Sequence, residues 1–108
     1  MTAYIMMRLW WPNDKADEIG KTFLKIAGTL KICKRVSESP FFITDEYGGS
    51  KSYNLFEVEE GKLFEALKEL SKYVVNYRHI PGFRFKIEPL LAAKDALPMI
   101  GLQTPTPK

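Results

Sequence analysis

The chain's one histidine, His79, stands in the stretch YRHIPGF (residues 77–83), after Tyr77 and Arg78 and just before Pro81 and Gly82. Imidazole titrates near neutral pH, so a loop histidine can shuttle a proton or ligate a haem iron. Catalysis by such a group needs a second one that orients the ring, and the sequence identifies none; a solvated loop histidine fits the same residues. Arg8 is the other charge of interest, because it lies within AYIMMRLWW (residues 3–11), where an unpaired guanidinium among apolar groups is costly. It either binds an acidic ligand at a sheet or pairs with a carboxylate such as Glu57. Trp10, Trp11, Tyr53 and Phe56 offer ring surface for an aromatic or hydrophobic compound, with Asn54 as the polar group of such a pocket, or else serve as core and interface. The candidate set is therefore His79 for catalysis and Arg8, Trp10, Tyr53 and Asn54 for ligand binding.

Cys33 is the single cysteine. Lys31 and Arg35 share its strand face and lower a thiol pKa only modestly, so a small buried hydrophobe is the simpler role. It has no intramolecular disulfide partner, which makes a reducing, cytoplasmic setting the default. Without a second cysteine or a histidine cluster, no metal is expected, and no cofactor either.

The elements that must hold these groups follow from periodicity. AYIMMRLWW alternates as a strand, and Pro12, Asn13 and Asp14 close it, too early and with the wrong flanks for a signal peptide or a membrane span. Asn13 or Asp14 is placed to cap a helix whose apolar stripe is Ala16, Ile19, Phe23, Ile26 and Ala27, with Gly28 ending it in the left-handed conformation. From Thr29 or Leu30 the period changes to two through Val36, which predicts a second strand. Pro40 interrupts it with a bulge or kink, and Phe41, Phe42 and Ile43 resume the extended path. DEYGGSK (residues 45–51) is the clearest turn, leading to a third strand in SYNLFEVEE. A second helix follows Gly61, with the stripe Leu63, Leu67, Leu70, Val74 and Tyr77, and ends by His79 ahead of Pro81. FRFKIEP alternates as a fourth strand, and LLAAKDAL forms a short third helix. Residues 1–97 make one ferredoxin-like domain and 98–108 a C-terminal tail. Leu97, Met99, Ile100 and Leu102 are too apolar for a free end and are expected to dock on a partner subunit.

The order βαββαβ predicts an α+β ferredoxin-like sandwich, a four-stranded antiparallel sheet with both helices on one face. Right-handed crossovers put the first strand in the centre, yet both of its faces carry large apolar groups. Helices shield only one face. A second copy of the chain is the commonest cover for the other, so a homodimer through the open sheet face is expected.

On element order and two-faced strands over residues 3–90, the chain resembles the dimeric α/β-barrel superfamily of ferredoxin-like proteins, in which two open sheets pack face to face. The resemblance implies a scaffold whose members include cofactor-free monooxygenases, lactone isomerases, haem-degrading enzymes and effector-binding domains. It leaves two readings: a small homodimeric ligand-binding or interaction module, or a cofactor-free monooxygenase or isomerase acting on a small hydrophobic or aromatic compound. Nucleic acid is not an expected partner. RNA recognition modules share the element order, but KSYNLFEVEE lacks their glycine, Glu57, Glu59 and Glu60 repel phosphate, and the net charge is only +3.

Overall fold

The structure of the protein, a computed structural model, describes residues 3–37, 39–44 and 48–102. In chain order its elements are β1 (Ala3–Pro12), α1 (Ala16–Ile26), β2 (Lys34–Arg35), β3 (Phe41–Thr44), β4 (Gly49–Val58), α2 (Leu63–Val75), β5 (Arg84–Leu90) and α3 (Ala93–Ala96). The fold is α+β with a five-stranded sheet in the order β2–β4–β1–β5, and β3 joins β4 further along the edge that β2 also uses. Every pairing is antiparallel. β1 is central, as its apolar composition requires.

Strand alternation sorts β1 into two faces. Ile5, Met7, Leu9 and Trp11 are buried and form one cluster with Phe56 and Val58 of β4, Ile19 and Ile26 of α1, and Ala66, Leu70, Tyr73 and Val74 of α2. Both helices therefore cover the same side of the sheet. At roughly 1.5–3 kcal/mol for each large apolar side chain taken fully out of water, this cluster supplies the main driving force for folding.

Where local chemistry competes with periodicity, the elements shift. The expected second strand does not begin at Thr29 or Leu30, because the amides of Lys31, Ile32 and Cys33 donate to the Glu69 carboxylate of α2 instead of to a neighbouring strand. Pairing with β4 starts only at Lys34. It breaks after Val36, where the Leu55 amide donates to the Ser39 hydroxyl at 2.9 Å, and resumes at Phe41 beyond Pro40. Asn13 does not cap α1. Its amide nitrogen donates to the Gly48 carbonyl and its Oδ1 accepts from Ser50 Oγ, tying the end of β1 to the start of β4. Gly28 does not take the left-handed conformation; it lies in a 3-10 turn after α1, and Thr29 Oγ1 donates to the Ile26 carbonyl at 2.7 Å.

The inner stripe of α2 runs through Ala66, Leu70, Tyr73 and Val74 and continues to Tyr77, while Leu63 at the first turn is exposed. The helix ends at Val75, and Gly82 with positive φ turns the chain into β5. Two close approaches pin the strand ends: a Cβ at Gly49 would lie 2.8 Å from the Trp11 carbonyl oxygen, and one at Gly82 only 2.6 Å from Pro12 Cγ. Of the expected 45–51 turn, Asp45–Tyr47 lie outside the described residues, as do residues 103–108 of the tail. α3 runs into a 3-10 turn, Leu97–Ile100, on which Met99 and Ile100 are each 72% exposed.

Candidate functional site

The side of the sheet away from the helices is a grid fixed by strand register. Across β4, β1 and β5 its rows read Lys51–Trp10–Arg84, Tyr53–Arg8–Lys86, Leu55–Met6–Glu88 and Glu57–Tyr4–Leu90. At the outer edge of β4, Ile43 and Phe41 extend the first two rows and Lys34 the last. Phe41 is 52% and Ile43 56% exposed, while Tyr4, Met6, Trp10, Tyr53 and Leu55 are half-buried.

Arg8 sits in the middle of this grid. Its Nη2 lies 2.8 Å from Glu88 Oε1, and Lys86 Nζ lies 3.7 Å from the second oxygen of the same carboxylate. The partner is therefore Glu88 of β5, not Glu57, because register puts Glu57 two rows away. Such a partly solvated pair contributes only about 0–1 kcal/mol. The Arg8 Nε is shielded from solvent without a hydrogen-bond partner. Cations also lie over the rings: Lys51 Nζ is 5.0 Å from the Tyr53 centroid and 6.0 Å from that of Trp10, and the Arg84 guanidinium is 5.4 Å from Trp10. At such exposed sites each contact is worth about 0.5–1 kcal/mol and mainly fixes orientation.

Asn54 lies on the opposite face. It is 2% exposed, donates to the Met7 carbonyl at 3.2 Å and to Ser52 Oγ at 3.0 Å, and accepts from Arg35 Nη1 at 2.8 Å. Arg35 also reaches the Tyr73 hydroxyl at 3.2 Å and is flanked by the rings of Phe23 and Phe56. This inner arginine, which sequence reasoning passed over, meets only neutral groups among the described residues. Beside the network lies a cavity of about 60 Å³ walled by Trp11, Phe23, Phe42 and Tyr77, with Ser52 and Asn54 as its polar floor. Burial, with the hydrogen bond its hydroxyl donates to its neighbour Tyr73, holds the Tyr77 hydroxyl protonated well above the ordinary phenol range.

The expected binding residues thus divide between two sites. Arg8, Trp10 and Tyr53 share the open face, whereas Asn54, with Trp11 and Phe56, belongs to the inner one; successive side chains of one strand point to opposite faces and cannot line one pocket. His79 is exposed in the turn after α2 and lines neither the inner cavity nor the shallow cleft of about 420 Å³ between Trp10, Pro12, Gly49, Gly82 and Arg84.

Cys33 is buried, with Sγ 3.6 Å from the Ala66 carbonyl oxygen. Burial, reinforced by the neighbouring Glu69 carboxylate, pushes its thiol up to about 12, so it is no nucleophile at neutral pH. Burial acts to raise the Glu69 carboxyl as well, but the amides of Cys33, Lys31 and Ile32 outweigh it and hold the group below the usual carboxylate range. Among the described residues no cluster of histidine, cysteine and carboxylate side chains is arranged to hold a metal ion. No described helix is long and apolar enough to cross a membrane. Comparison with protein-family models and with curated proteins returned no match to this chain.

Proposed function

We propose that the protein is a homodimeric interaction and ligand-binding module, its subunits ferredoxin-like and joined open sheet to open sheet in the manner of the dimeric α/β barrels. One observation carries this reading: the central strand is apolar on both faces, and the helices cover one of them. Counting β2 and β3 as halves of one interrupted edge strand reduces the element order to βαββαβ. The uncovered grid sets half-buried Tyr4, Met6, Trp10, Tyr53 and Leu55 beside exposed Phe41 and Ile43 in one contiguous patch, the kind of surface that marks an interaction site. At about 25 cal/mol per Å² of apolar surface, burying it against a twin offers several kcal/mol towards association, part of it offset by lost rigid-body freedom. The exposed Met99 and Ile100 beyond α3 add apolar surface for the same partner. A single buried thiol suits a reducing, cytoplasmic setting.

Within each subunit the inner cavity has ring walls and a floor carrying the Asn54 and Ser52 polar groups, but at about 60 Å³ it admits a small hydrophobic or aromatic compound only if those walls move apart. The alternative reading, a cofactor-free monooxygenase or isomerase, needs a proton-transfer group there, and the chain's one histidine, His79, does not line it. Sedimentation equilibrium tests the assembly: a mass twice the 12.4 kDa of the chain is expected, shifting towards the single chain on Trp10→Glu. A wild-type monomer at high concentration would overturn the proposal.

A further inference from the structure

The open grid is not uniform in charge. Its two rows nearest Trp10 hold Lys51, Arg84, Arg8 and Lys86 and no acid, while the two rows nearest Tyr4 hold Glu88 and Glu57, with Lys34 only at the edge. From this polarity we infer how the second copy sits: the two-fold axis crosses the strands, so that β1 of one subunit runs antiparallel over β1 of its twin. The inference rests on the homodimer proposed above and adds the orientation, and with it the identity of the trans contacts.

Two sheets packed face to face through a two-fold axis have two extreme arrangements. An axis along the strands keeps the rows and exchanges the columns. Lys51 then faces the partner's Arg84, and the basic half of each grid is pressed against the basic half of the other. An axis across the strands keeps the columns and exchanges the rows. Lys51 then faces the partner's Glu57, Lys86 faces the partner's Glu88, and Trp10 lies over the partner's Tyr4. On the β4 edge Phe41 meets the partner's Val36, which lies beside Leu55 through its amide. Like charges brought together at an interface are strongly selected against, whereas opposite charges fix register. Charge therefore selects the crossing axis.

The decisive pair is Lys51 and Glu57. They lie six residues apart on one extended strand, about 20 Å, so they cannot meet within a subunit. Neither is in an ion pair among the described residues. Each is thus available for a contact in trans, and the two-fold axis makes that contact twice.

The test measures self-association of Lys51→Glu and Glu57→Lys by analytical ultracentrifugation, alone and mixed in equal amounts. Each variant alone places two like-charge pairs in its homodimer, and dissociation should rise about tenfold or more. Mixing them restores both attractive pairs in the heterodimer, so dimers of near wild-type affinity should form again, which also shows that both variants are folded. Lys51→Gln and Glu57→Gln should weaken the dimer in the same direction by less. A Lys51→Glu homodimer tighter than wild type would indicate the axis along the strands and overturn the inference, as would failure of the mixture to recover. Either result leaves the homodimer itself standing; a monomeric wild-type chain removes both.

Discussion

Replacing Glu69 by alanine should cost the fold more than any other exposed or half-buried acid in the chain. One carboxylate accepts from three consecutive amides, Lys31 at 2.9 Å, Ile32 at 3.0 Å and Cys33 at 3.0 Å, and so fastens the segment before β2 to α2. A shielded hydrogen bond to a charged acceptor is worth roughly 1.5–3 kcal/mol, but this carboxylate is partly wet and water replaces some of what is lost. Taking about 1 kcal/mol for each amide gives about 3 kcal/mol, which for a domain of this size lowers Tm by about 10–15 °C. Glu69→Gln should lose less than Glu69→Ala, since its remaining carbonyl oxygen still accepts from Ile32 and Cys33 while its NH2 meets the Lys31 amide donor and the charge is gone. The pH dependence follows from the lowered folded-state pKa. A group whose pKa is depressed by folding gives stability that is complete above its unfolded value, about 4.3, and is lost as pH falls through the folded value. Urea denaturation of wild type and Glu69→Gln should therefore show a constant gap at pH 6–7 that narrows below about pH 4.5. A gap under about half a kcal/mol at neutral pH, or one that widens on acidification, would refute the reasoning.

Two further outcomes concern the inner face. Asn54→Ala should destabilise by about 2–4 kcal/mol in denaturant titrations, because it strips Arg35 of its 2.8 Å acceptor and leaves the guanidinium half-buried beside rings; a loss below about half a kcal/mol would show that water fills the place. Cys33 should react with a thiol reagent at neutral pH only through unfolding, and its contribution to stability should be complete below the ordinary thiol range and fall as pH rises from there towards 12. Native-state labelling as fast as that of a free thiol would contradict its burial.

The fold was largely legible because periodicity is a physical consequence of burial: β1, α1, α2 and β5 fall where alternation or helical spacing put them. The failures lie where a side chain took over a backbone group. No pattern in TLKICKR announces that a glutamate in another element collects three of its amides, and so the strand was expected four or five residues too early. Asn13 has the right type and place to cap α1, yet a partner from β4 used its side chain first. At the site, Arg8 was legible as a charge that must find something, and the choice of Glu88 over Glu57 was not, because a one-strand register decides it. Arg35 was legible only as a neighbour of Cys33, because nothing in KICKRV announces that Phe23 of α1 and Asn54 of β4 gather around its half-buried guanidinium.

The two faces of β1 also differ in how completely their polar groups are answered. On the inner face Asn54 uses both donors and its acceptor, and the helices close over it. On the outer face the Arg8 Nε is shielded with no partner among the described residues, two cations, Lys51 and Arg84, crowd two rings, and large apolar groups stand half in water. A sheet meant for solvent would place polar side chains at alternate positions and leave none of these debts. Asymmetry of this kind within one strand puts the unanswered groups on the side that the helices leave open, which favours the homodimer proposed above. It also separates assembly from ligand capture: changes at Trp10 or Lys51 should move association and leave the Asn54 network intact, and changes at Asn54 should do the reverse.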